Sequence, residues 1–142
     1  MRMKAPIQTK YTFTTVGFIT YYLVLAATLA LVVGRGSDGF LAQVPFIAEH
    51  GIAGHLSNFA LTTLYLFATG AIHMLVGVSW PYLLANAALL LVLNIVVELF
   101  VTVLNVPDMT DALYGIAGVA VSLGLLVFMH RFGIRLAPVR KK

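Results

Sequence analysis

Glu98 lies inside an apolar run, NIVVELFV, and Asp108 and Asp111 follow shortly after it. These are three of the chain's five acidic residues. An acid in such a run is costly, and intramembrane ionisable groups usually face a bundle interior or a wet cavity. Asn94, Glu98, Thr102 and Asn105 recur at i, i+4, i+8 and i+11, one polar stripe on one helix face. Asp108 and Asp111 flank a predicted helix start, where the helix dipole favours carboxylates. His55, entering an earlier apolar run, is the best-placed residue to meet them. A His with two or three carboxylates can hold a polar ligand, exchange protons or bind a divalent cation. The expected ligand-binding set is His55, Glu98, Asn105, Asp108 and Asp111. Helix capping and interhelical hydrogen bonding are the alternative roles for the same residues.

Other chemistries find less support. There are no cysteines, which excludes disulfides, thiolate metal sites and Cys nucleophiles. No H-E-x-x-H spacing and no Gly-rich phosphate loop is present, so no metal and no cofactor is expected. Ser57 near His55 is too thin a basis for a hydrolase. His73 and His130 fall at depths differing by roughly 8–9 Å at the helical rise, which argues against a bis-His haem. A hydrogen-bonded His73 and an interfacial His130 are the expected readings.

The scaffold that must position the acids is a membrane one. The chain of 142 residues is 61% hydrophobic and 10% charged, with a mean hydropathy of +0.97. Soluble domains carry about 25% charged residues. From His50 to Val97 there is no Asp, Glu, Lys or Arg. As helix that stretch would run roughly 72 Å, about twice a hydrocarbon core of about 30 Å, so it crosses twice. Trp80, Pro81 and Tyr82 mark the turn, with Pro81 suited to a first helical turn and the aromatics to an interface.

The spacing predicts an all-α, single-domain, four-helix transmembrane bundle. Its spans are about 11–33, 58–78, 81–104 and 111–130, with basic tails at 1–10 and 131–142. A short interfacial helix is expected between the first two spans, where Pro45 and several glycines punctuate an apolar segment. Eight of the nine cations lie in or beside the two tails, and Arg35 is the exception. That asymmetry implies a multi-pass protein of the cell membrane with both termini cytoplasmic. It also argues against nucleic acid as a partner and for membrane lipids. Gly118 and Ser122, and Ala120 and Gly124, form small-xxx-small pairs on the fourth span. Packing is their expected role, and this face is a candidate surface for homo-oligomers.

The stretch from Glu98 through Asn105-Val-Pro-Asp108-Met-Thr-Asp111 to Gly118 resembles the core pattern of VanZ-like membrane proteins. Glu98, Asp108, Asp111 and Gly118 fall on matching positions, and His55 is similar to that family's His near the start of an earlier helix. Val101, Asn105, Gly115 and Ser122 stand where the pattern has Gln, Arg, Asn and Gly. The resemblance implies a small multi-span envelope protein associated with resistance to the glycopeptide teicoplanin. A lipid-linked or envelope-active small molecule is the ligand class it implies. An envelope-lipid enzyme using the carboxylates, a proton-coupled transporter and a helix-packing subunit are the alternatives.

Overall fold

The computed structural model describes residues 9–36, 39–101 and 108–138. Strand β1 (Tyr11–Phe13) leads into α1 (Thr15–Gly34). A 3-10 turn (Phe40–Gln43) and α2 (Pro45–Glu49) follow, then α3 (Ile52–Val76), α4 (Trp80–Phe100) and α5 (Met109–Phe128). A π-helical turn (Met129–Gly133) extends α5 and leads into β2 (Ile134–Leu136). Among the described residues, four helices are long and apolar enough to cross a membrane. Even 20 residues of helix reach about 30 Å. The architecture is an all-α four-helix bundle, and the chain is a multi-pass membrane protein. Leu23 and Phe100 are 64% and 72% exposed, surfaces that suit lipid and not water.

The boundaries differ from expectation at three places, each with a local cause. α1 begins at Thr15, not Tyr11, because the Thr14 hydroxyl accepts from the Gly17 N–H at 3.1 Å and caps the helix. α3 begins at Ile52, six residues ahead of the expected start. Gly51 takes φ 64°, which lets α2 end and α3 begin without an intervening loop. α4 closes at Phe100, where Val101 leaves helical geometry at ψ 71°. At the far end of α3, Gly77 takes φ 82° and forms a Schellman turn. Its N–H bonds Met74 O at 3.0 Å, and the Val78 N–H bonds His73 O at 2.9 Å.

A larger correction concerns residues 11–13, expected at the start of the first helical span, and 134–136, expected in the basic C-terminal tail: they form strands, and β1 pairs antiparallel with β2. Tyr11 lies opposite Leu136, Thr12 opposite Arg135 and Phe13 opposite Ile134. Aromatic and β-branched residues at four of these six positions suit strands. Thr14 N–H to Gly133 O at 2.9 Å and Ala137 N–H to Lys10 O at 3.0 Å close the two edges of the ribbon. The ribbon ties the start of α1 to the end of α5 at one end of the bundle.

α3 and α5 form the central pair. α1 packs on α3, while α4 packs mainly on α5 with a lighter contact to α3. The central helices run parallel. His55 meets Asp111, Thr63 meets Ser122 and Gly70 meets Leu126, so the register stays nearly constant along their length. The core is built from Leu66, Phe67 and Met74 of α3 with Val119, Leu126 and Met129 beside them. Tyr21 of α1 stacks on Phe67 with ring centroids 5.9 Å apart.

Gly118 and Ser122 supply the close approach. Ser122 is fully buried, and its hydroxyl donates to Thr63 O at 3.2 Å. This part of the small-residue face is therefore filled by α3 of the same chain and cannot serve self-association. Ala120 and Gly124 point to the open side.

Candidate ligand-binding site at the acidic end

Because α3 and α5 start at the same end, their first turns face each other there. His55 sits in the first turn of α3, Asp108 caps α5, and Asp111 is in the first turn of α5. His55 Nδ1 lies 2.7 Å from Asp111 Oδ1 and 3.7 Å from Asp108 Oδ2. A carboxylate only accepts, so Nδ1 carries the proton in this contact. The side chains of His55, Asp108 and Asp111 are 26%, 39% and 18% exposed, so a ligand can reach all three.

Glu98 stands beside this group on a second bond network. It is buried in the last turn of α4, two residues before the helix closes. Its Oε1 accepts from Asn58 Nδ2 of α3 at 2.9 Å. Its backbone carbonyl accepts the Asp108 N–H at 3.3 Å, which joins the two networks through the main chain. Asn94, one turn earlier on the stripe, donates from Nδ2 to Ala112 O at 3.0 Å and lies over Gly115. Thr102 and Asn105 lie outside the described residues.

Asn58 and Tyr114 were not anticipated in the sequence. Asn58 is three residues after His55 and Tyr114 three after Asp111, so each shares a helix face with its neighbour. The Tyr114 ring lies 5.5 Å from the His55 ring. That spacing was legible only if the second span starts before His55, as it does. At the other end, His130 stands edge-on to Trp80 at 5.4 Å. Among the described residues, buried His73 Nδ1 has no hydrogen-bond partner, whereas a hydrogen-bonded His73 was expected.

Asp108 accepts the Thr110 backbone N–H at 2.7 Å, and that bond holds its carboxyl below the usual range near 3.8. Thr110's side chain and the nearby His55 act in the same direction. A folded value below the unfolded one means the stabilisation is present above the ordinary aspartate range. It is lost as pH falls through the lowered folded value. Asp108→Asn should therefore lower the unfolding temperature at pH 7, and that difference should shrink as pH falls below the ordinary aspartate range. Thermal unfolding in detergent across that range checks it.

His55, Asp108 and Asp111 could also hold a metal ion, since one ligand atom from each lies within 4.8 Å of the others. No protein family, no curated protein and no solved structure matches the chain. The fold and the polar end define a small polytopic membrane protein with a candidate site between two parallel helices.

Proposed function

We propose that this chain is a VanZ-like membrane protein that binds a lipid-linked or envelope-active small molecule at its acidic end. The observation that carries this reading is the meeting of His55 and Asp111 at 2.7 Å, from positions 56 residues apart. Asp108 and buried Glu98 stand beside them. Such a group selects amines and hydroxyls, because carboxylates accept hydrogen bonds and attract cations. The resemblance gains one detail from Asn94. Its amide lies against Gly115, where the family pattern has an Asn. In this reading the acidic end faces outward, both termini are cytoplasmic, and the protein contributes to teicoplanin resistance.

The test is a native mass spectrum of protein extracted in mild detergent. The expected result is a retained small molecule that Asp111→Asn releases with helicity unchanged. Loss of one charge-assisted hydrogen bond, about 1.5–3 kcal/mol, weakens binding about 10- to 150-fold. Expressing cells should tolerate more teicoplanin, and Asp111→Asn should return them to baseline. A bare wild-type monomer, or a variant that fails to fold, would leave the acids as capping and packing residues.

A second reading is an envelope-lipid enzyme that uses a divalent cation, favoured by the mutual proximity of the His55, Asp108 and Asp111 ligand atoms. Binding would displace the Nδ1 proton, so metal uptake should release protons. Stoichiometric Mg²⁺ or Zn²⁺ on elemental analysis would support it, and activity indifferent to chelator would remove it.

A further inference from the structure

The opposite end of the bundle holds a second, chemically different site. A groove of about 620 Å³ opens between the ribbon and the ends of α1 and α3. Thr9, Thr12 and Thr15 line it with hydroxyls, Arg135 supplies a cation, and Phe18 and Leu75 form an apolar wall. The ribbon register sets Arg135 directly across from Thr12. Among the described residues, Arg135 makes no ion pair. Lys10 and Arg131 share this end, while Glu49, Glu98, Asp108 and Asp111 belong to the elements of the far end. The groove therefore carries positive charge that no described carboxylate offsets.

Its position fixes the kind of partner. The ribbon continues directly from the ends of α1 and α5, so it lies at the bilayer surface. Phe18 is one turn into α1 and 55% exposed, where hydrocarbon begins. A ligand filling this groove has a charged head at the Arg135 level and an apolar tail along Phe18.

We propose that this groove binds the phosphodiester headgroup of an anionic phospholipid, with Arg135 on the phosphate, the threonine hydroxyls donating to its oxygens, and an acyl chain against Phe18 and Leu75. A zwitterionic lipid brings an ammonium into a region that already holds Lys10, Arg131 and Arg135, and is disfavoured. This site is independent of the ligand reading at the acidic end.

The test uses the full chain in mild detergent, titrated with phosphatidylglycerol, phosphatidylcholine or inorganic phosphate and read by native mass spectrometry. Phosphatidylglycerol should bind about tenfold or more tighter than phosphatidylcholine. Arg135→Gln should remove about a tenfold preference, the size of one charge-assisted contact. Arg135→Lys should keep part of it, because lysine retains the charge without the planar fork. Thr12→Val, which preserves strand propensity, gives a second variant if Arg135→Gln disturbs folding, and should also weaken phosphatidylglycerol. Equal binding of the two lipids, or no loss in either variant, overturns the proposal. Competition by inorganic phosphate at the concentrations where phosphatidylglycerol binds would assign the groove to free phosphate and overturn it as a lipid site.

Discussion

Gly118→Val is expected to lower the unfolding temperature sharply by forcing α3 and α5 apart. A Cβ at position 118 would stand 2.7 Å from the Phe59 carbonyl oxygen and 3.1 Å from Thr62 Cβ and Thr63 Oγ1. The first of these atoms is backbone, so no rotamer change relieves the clash. Overpacking of this kind costs about 1–3 kcal/mol, and occasionally more. The bond from Ser122 Oγ to Thr63 O lies one turn away and would stretch with the seam. Its loss adds about 0.5–1.5 kcal/mol. Removing a helical glycine returns at most about 1 kcal/mol, so destabilisation wins. Thermal unfolding in detergent should show it. Gly124→Val is the control, because nothing lies within 4 Å of a Cβ there. Equal behaviour of the two variants would mean that the parallel α3/α5 contact is wrong.

Gly17→Val is the second large effect, and it acts on the ends of the chain. A Cβ at 17 would fall on the Gly133 backbone, against its carbonyl oxygen and 2.7 Å from its Cα. The π-helical turn would have to withdraw. With it would go the bonds from Thr14 N–H to Gly133 O and from Thr14 Oγ1 to Phe132 O. The expected outcome is a ribbon that opens while Leu66, Phe67 and Leu126 stay packed. Hydrogen exchange reads this directly. Protection of the Thr14 and Ala137 amides should fall about tenfold or more, since two lost bonds at about 1 kcal/mol each exceed that factor. Amides in the middle of α3 should hardly change. Uniform loss along the chain would show that the ribbon and bundle unfold as one unit.

The four crossings were legible because a long uncharged stretch has to be divided by bilayer thickness, and Pro81 marks where. The end of the bundle at which the acids gather was legible for a similar reason. Asp108, Asp111 and His55 all flank span ends. The ribbon was not legible, since three-residue strands at opposite ends of a chain carry no period. Asn58 was passed over because a neutral amide at a span boundary gives no charge signal. Glu98 was expected in a helix running to about residue 104, but α4 closes at Phe100, and Glu98 is buried in its last turn, where Asn58 of α3 donates to it. Helix order was hidden too, because apolar faces turned toward lipid and toward protein read alike.

The parallel pairing of α3 with α5 has a consequence for how the protein is made. Successive crossings alternate direction, so two parallel neighbours are never consecutive, and α4 must emerge between them. His55 and Asp111 are separated by 56 residues. At ribosomal speeds that is a delay on the order of 3 to 10 s. Throughout it, α3 holds His55, Asn58 and Thr63 in or near the bilayer with their α5 and α4 partners still unsynthesised. Biogenesis thus passes through a waiting state, a half-built bundle whose polar α3 face stays open until the last helix arrives.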